Sequence, residues 1–288
     1  MRIADLYASK KPVFSFEFFP PKTEKGVDSL FATLAELARL EPDFVSVTCP
    51  LDKPRRPLTL ALVARIKREL GIEAMAHLVT VDYSVDEMRG VMQALKIDGI
   101  ENVLALRGDL PEGPAGRARR DFPYASDLAR FARDFGFSVG GAAHPELHPD
   151  SKDWQVEMAG ARAKVEAGVE FLVTQLFFDN TDYFAYVERA RAAGIQVPIV
   201  AGIMPVTSLP GIRRMAAMNG NRLPAPLVAE LESVDGDAEA VADVGVRFAV
   251  AQCEELLERG VPGIHFYTLN RSPATRRILT RLREKGVA

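Results

Sequence analysis

The feature that most constrains this chain is a regular alternation of short apolar runs with longer amphipathic ones. The short runs are VFSFEFFP (13–20), FVSVTC (44–49), EAMAHLVT (73–80), NVLALRGD (102–109), SVGGAAHP (138–145), FLVTQLFF (171–178), PIVAGIMP (198–205) and GIHFYTLN (263–270). They read as strands, while the segments between them, such as VDSLFATLAELARL, LTLALVARIKREL, VDEMRGVMQAL and ASDLARFARDFG, repeat with the helical period. Successive strand starts fall 31, 29, 29, 36, 33, 27 and 65 residues apart. A strand, a helix and the return to the next strand take about thirty residues, and helical crossovers imply parallel pairing. Eight such units predict an α/β chain folded as a single (β/α)8 TIM barrel over residues 1–288. The wide last gap predicts an extra helical insert before the last strand: a Pro-, Gly- and Asn-rich stretch over 218–237, then a long helix over about 238–259. A doubly wound open sheet is the alternative, but the first strand–helix junction reads FFPPKTEKG and lacks the GxGxxG turn that holds a dinucleotide. Leu110–Arg120 (LPEGPAGRARR) reads as a mobile loop after the fourth strand.

The 288 residues are 48% hydrophobic and 26% charged, enough for a full globular core. The net charge of −3, with no basic arm, argues against a nucleic-acid partner. Two cysteines, Cys49 and Cys253, make neither a disulfide framework nor a metal cluster and point to a reducing cytoplasm. Four histidines without HxH or HExxH spacing argue against zinc, and the absence of GxSxG argues against a serine nucleophile. MRIADLYASKK has no apolar signal core, and the charge-free window 192–212 holds three prolines and three glycines, which suits strand, turn and helix start better than a membrane span. The expectation is a cytoplasmic protein without a membrane partner, with homo-oligomerisation as the default.

Barrel active sites lie where the strands end. On the first strand, alternation sets Phe14, Phe16 and Phe18 on one face and Ser15, Glu17 and Phe19 on the other. The phenylalanines suit the helix-facing layer, which aims Glu17 into the barrel mouth. Crowding by aromatics would favour its neutral form, suiting a general acid, although a salt-bridged structural glutamate fits the position too. Arg107 and Asp109 share a face around Gly108, whose lack of a side chain permits close approach by a ligand; an Arg–Asp pair closing a turn is the plainer reading. Gln175, in an apolar run, needs partners for its amide, from a heterocycle or from a core network. His77 and His144, with His148 beyond, stand at strands three and five, and a lone histidine there is more often a core residue. Gly140, Gly141, Ala142 and Ala143 leave room for something flat. Arg271 lies just past strand eight, a common place to receive an anionic group.

SFEFFPPKT, FVSVT, AHL, LALRGDLP, GGAAHPELHP, TQLFFD, GIMPV and HFYTLNRSPATR occur in this order, and together they resemble the methylenetetrahydrofolate reductase family, in its bacterial catalytic-barrel type, over about residues 10–284. The resemblance implies an FAD-containing barrel that uses NADH or NADPH to reduce 5,10-methylenetetrahydrofolate to 5-methyltetrahydrofolate, nicotinamide and folate using the same flavin face in turn. By resemblance Glu17 is the catalytic acid and Asp109 a carboxylate near flavin and pterin. Gln175 and Arg271 are substrate-side positions. Thr48, His77, Arg107, Gly108, Asp109, Ala125, His144, His148, Glu157 and Lys164 fall at flavin-contacting positions. His144 replaces a usual aromatic and Glu157 a usual aspartate. Ala163 stands where arginine is frequent, Gly211 where some members carry glutamine, and Cys49–Pro54 (CPLDKP) where small residues usually follow FVSVT. These departures keep open a flavin-free direct hydride transfer. Oxidation of methyltetrahydrofolate in the reverse direction, a pterin-binding methyl-transfer barrel and a folate sensor complete the alternatives.

Overall fold

A computed structural model describes residues 1–109, 121–271 and 273–287, so the expected loop 110–120 lies outside the described residues. Eight parallel strands close in chain order: β1 (Val13–Phe18), β2 (Phe44–Val47), β3 (Ala74–Val79), β4 (Asn102–Leu106), β5 (Ser138–Ala143), β6 (Phe171–Thr174), β7 (Ile199–Ile203) and β8 (Gly263–Tyr267), with β8 pairing back to β1. The crossover helices are α2 (Glu24–Ala38), α3 (Pro57–Arg65, continued by a π turn to Leu70), α4 (Val85–Ile97), α5 (Ala125–Asp134), α6 (Trp154–Glu166), α7 (Asn180–Ala192) and α8 (Leu209–Asn219). The insert supplies α9 (Ala225–Ser233) and α10 (Ala238–Glu258), and α11 (Pro273–Glu284) follows β8. This is the expected (β/α)8 barrel with a helical insert before the last strand. No helix among the described residues is long and apolar enough to cross a membrane.

Every expected strand forms, but each ends one to four residues early, because its last residues bend into mouth loops. After β4 the bend is made by Gly108 at φ +81°, where a Cβ would also press within 3.1 Å of Val79. A side chain there would be strained twice over. Alternation divides the strand residues into two shells. Phe14, Phe16 and Phe18 pack outward with helix residues such as Leu30, Leu34 and Leu282. Val13, Phe44, Met75, Leu104, Phe171, Val173 and Val200 fill the inside. The small residues of β5 leave no room for a ligand at Gly140: a Cβ there would lie 2.8 Å from the Phe171 ring and 2.9 Å from Leu104, which already occupy the space.

Two helices have no counterpart among the expectations: α9, which forms inside the Pro-, Gly- and Asn-rich stretch 218–237, and one at the N-terminus. A seven-residue helix, α1 (Ile3–Ser9), closes the N-terminal end of the barrel, with Ile3 and Tyr7 in the same apolar cluster as the inner strand residues. Its backbone is tied in where Ile3 N donates to Asn102 Oδ1 at 2.7 Å. With the floor sealed, the open end of the barrel is the one where the strands finish.

Candidate active site

Three polar groups gather at that open end. The first is centred on Glu17. Its carboxyl points inward and upward from β1, its side chain only 18% exposed, with Oε2 at 3.4 Å from His265 Nε2 and 3.5 Å from His77 Nε2. His265 Nδ1 in turn lies 2.7 Å from Ser15 Oγ. The exit of β8 fixes the end of β1: Thr268 Oγ1 donates to Glu17 O at 2.6 Å, and the Asn270 side chain accepts from Phe19 N and donates to Phe19 O. That clamp requires left-handed backbone at Leu269 (φ 51°) and Asn270 (φ 57°), a conformation asparagine tolerates and leucine resists.

The electrostatics of Glu17 overturn the sequence expectation. Burial does push its carboxyl up, but the His265 hydrogen bond and the neighbouring His77 and His265 imidazoles outweigh it and hold the group below its usual range. Desolvation by burial is real, but the phenylalanines of β1 face the helices; the two imidazoles come from strands three and eight, which alternation along β1 cannot reveal. Burial lowers His77 to about 4, against the pull of Glu17, so that ring is neutral near pH 7. Its Nε2 is buried and makes no hydrogen bond among the described residues.

The second group lines the β4–β5 side. Arg107 pairs with Asp150 at 2.6 Å rather than with Asp109, which is exposed, so the expected Arg–Asp turn is not the one formed. Asp150 N donates to His148 Nδ1 at 3.0 Å, and the His148 ring meets His144 edge-on at 4.5 Å between centroids. His144 Nδ1 reaches Glu157 Oε1 at 3.4 Å, and Ser151 Oγ donates to Glu157 Oε2 at 2.7 Å. Burial lowers the His144 imidazole below its ordinary value, the Glu157 bond opposing it. Lys164 donates to Ala142 O at 2.8 Å; burial lowers its amine, with Glu157 opposing and Arg107 adding to the effect. Thr48 and Ala125 flank the mouth: Thr48 N donates to Phe18 O at 2.8 Å, and Ala125 is buried as the first residue of α5.

The third group is Gln175, just past β6. Its Nε2 donates to Asn219 Oδ1 at 3.3 Å and its Oε1 accepts from Leu176 N at 3.0 Å, so its amide is held by protein partners. Arg271 is exposed beyond β8.

The residues at the expected flavin positions suit an anionic, hydrogen-bonding cofactor. Arg107, Lys164, His144 and His148 interact electrostatically with one another along one wall, which suits a phosphate-bearing group, and the orphaned His77 Nε2 awaits a polar partner. The sequence alone does not single out Ser15, His265 or Asn219. Inward alternation of β8 could have flagged His265 and Tyr267, but pairing His265 with Ser15 needs the β1–β8 register.

A closed parallel barrel with a buried carboxyl and two imidazoles at its C-terminal mouth defines a barrel of the enzyme type. The chain matches the family model described as methylenetetrahydrofolate reductase over residues 2–283. It is 38% identical over 259 residues to the 5,10-methylenetetrahydrofolate reductase of Escherichia coli K12, covering 90% of this chain and 86% of that protein. It is 35% identical over 285 residues to methylenetetrahydrofolate reductase (NADH) 1 of Arabidopsis thaliana, covering 93% of this chain and 48% of the plant protein, so it spans about half that relative. The chain belongs to the methylenetetrahydrofolate reductase family, a family of oxidoreductases. Among solved structures, an uncharacterized Clostridium thermocellum protein that binds two copies of 5-methyl-5,6,7,8-tetrahydrofolic acid superposes with a TM-score of 0.65 over 99% of both chains at 16% identity, a likeness of fold.

Proposed function

We propose that this chain reduces 5,10-methylenetetrahydrofolate to 5-methyltetrahydrofolate with electrons from NADH or NADPH, with Glu17 as the acid that opens the folate's five-membered ring. The observation that carries the reading is the Glu17 carboxyl at the barrel mouth of a chain of this family, within 3.5 Å of two buried imidazoles. Glu17 gives its proton to one bridging nitrogen of the substrate. That nitrogen takes the bonding pair from the bridge carbon, and the lone pair of the other nitrogen completes an iminium cation. In the open mouth the carboxyl lies below its usual range, so it must gain a proton as the site fills; excluding water favours the neutral form and supplies that shift.

Arg107, Gly108, His144, His148, Glu157 and Lys164 would hold FAD on the β4–β5 side, with Thr48, His77 and Ala125 around it. When bound, FAD would carry hydride from nicotinamide to the iminium carbon. Asp109 is assigned to favour the substrate cation, Gln175 to bind the pterin and Arg271 to meet an anionic part of the folate.

The test is incubation with FAD, desalting and a visible spectrum. A retained flavin band, bleached by NADH or NADPH and restored by methylenetetrahydrofolate, supports the reading. A colourless protein that still oxidises nicotinamide in the presence of the folate would replace FAD by direct hydride transfer. Glu17→Gln should lower turnover with methylenetetrahydrofolate by roughly 100- to 10,000-fold. Full activity in that variant would remove Glu17 from the chemistry.

A further inference from the structure

Glu17 is held by groups beyond its own backbone, and both side-chain contacts reach the same oxygen. His265 Nε2 and His77 Nε2 lie near Oε2, while Oε1 has no partner among the described residues. Ser15 stands two residues back on the same inward face, and the β1–β8 register sets it beside His265. The His265 ring, 1% exposed, is therefore spanned by two side chains of one strand: Ser15 at Nδ1 and Glu17 at Nε2.

This arrangement selects a tautomer. The Ser15 hydroxyl is fully buried, and its hydrogen-bond partner among the described residues is His265 Nδ1. A proton on Nδ1 would leave that hydroxyl with no acceptor and turn a lone pair of Nε2 toward the carboxylate. A proton on Nε2 satisfies all three groups: Ser15 donates to Nδ1, and Nε2–H donates to Glu17. The other groups facing Glu17 do not duplicate this. From β3, His77 makes no hydrogen bond to it. From β8, Tyr267 gives its hydroxyl to Thr174 O at 2.6 Å. From β2, Ser46 lies beside Glu17 in register with its hydroxyl unpartnered among the described residues.

We propose that Ser15 and His265 are positioning residues for Glu17: Ser15 fixes the His265 tautomer, His265 pins Oε2 inside the mouth, and Oε1 is left as the oxygen that passes its proton to the substrate. The inference rests on Glu17 being the acid. As the O–H bond of Oε1 breaks, its electron pair stays on the carboxylate, and the new N–H bond forms on the bridging nitrogen. The hydrogen bond from His265 Nε2 stabilises the carboxylate charge so formed. The pair thus sets both the direction of the acid and how readily it gives up its proton.

Two readouts test this. In the ligand-free protein, carboxyl ¹³C NMR of glutamate-labelled chain, with the Glu17 signal assigned by its loss in Glu17→Gln, follows the titration of that one group. Ser15→Ala and His265→Leu should raise its midpoint by about one pH unit or more. His265→Gln, which keeps an N–H within reach of the carboxylate, should stay closer to the native value. In turnover of methylenetetrahydrofolate, the pH profile of kcat should move in the same order while KM changes little, an outcome that simple loosening of the fold would not produce. An unmoved midpoint in Ser15→Ala, or equal midpoints in His265→Gln and His265→Leu, overturns the pairing. If His265→Leu does not fold, Ser15→Ala and His265→Gln decide it alone. Shifted midpoints in a native protein that never turns over would defeat the proposed activity and leave the pairing standing.

Discussion

Glu157 is only 5% exposed and ionised all the same, because it is met on both oxygens. Burial alone would raise its carboxyl, but the His144 and Ser151 hydrogen bonds, with Lys164 nearby, bring it down to about 2. A folded-state value below the unfolded 4.5 means stability that is fully present above pH 4.5 and lost as pH falls toward about 2. Glu157→Gln keeps the shape and loses the charge, so at neutral pH it should destabilise the protein by roughly 1–3 kcal/mol. Calorimetric melts in an acid series should show the gap between native and variant closing below pH 4.5. A gap that stays constant through that window would mean that the carboxylate is not the stabilising form. The loss of His77 protonation in the fold acts in the same direction at higher pH: with its value lowered to about 4 from 6.5, its contribution fades across that interval as acid is added.

Segments as well as side chains are fixed by buried charge. The stretch after β2 is organised by Arg56, 3% exposed, which donates to Pro50 O at 3.2 Å, Leu51 O at 3.1 Å and Val81 O at 2.7 Å. Its guanidinium also lies 4.9 Å from the centre of the Tyr83 ring. Arg56→Met keeps the apolar stem and strands three carbonyls, at a cost of roughly 3 kcal/mol, and should speed proteolysis within residues 49–55. An unchanged melting temperature would show that this segment holds its shape without the arginine. Nothing in the composition of CPLDKPRR indicates that its second arginine turns inward. The same limit governs the rest of the comparison between sequence and structure. Element spacing and apolar period foretold the barrel, the long α10 and the inward Glu17, because each depends on residues near in sequence. Short α1 and α9 carry too few turns to establish a period. The His265–Ser15 contact and the Arg107–Asp150 pair span 250 and 43 residues and depend on strand register and loop geometry.

On the scale of the whole molecule, the barrel divides its two ends between chemistry and stability, and α1 is what makes the division possible. The polar mouth can stay open because the opposite end is closed by Ile3 and Tyr7, packed with Val13, Phe44, Met75, Leu104 and Phe171 in one cluster. Tyr7 is the sharper probe of that closure. Its ring packs 5.2 Å from Phe171 between centroids, and its hydroxyl is buried without a hydrogen-bond partner among the described residues. The ring contributes through burial and contact, whereas the unmet hydroxyl detracts. Tyr7→Ala should therefore cost roughly 3–5 kcal/mol, as large aromatic truncations in cores do. Tyr7→Phe should leave the melting temperature unchanged or raise it, since it removes a desolvated polar group at no cost in packing. Neither substitution touches the mouth, so kcat at a temperature where both variants are folded should match the native enzyme. A Tyr7→Phe variant as unstable as Tyr7→Ala would mean that the hydroxyl has a partner in solution and that the floor is held by a polar contact. A fall in kcat with the fold intact would mean that the two ends of the barrel are coupled.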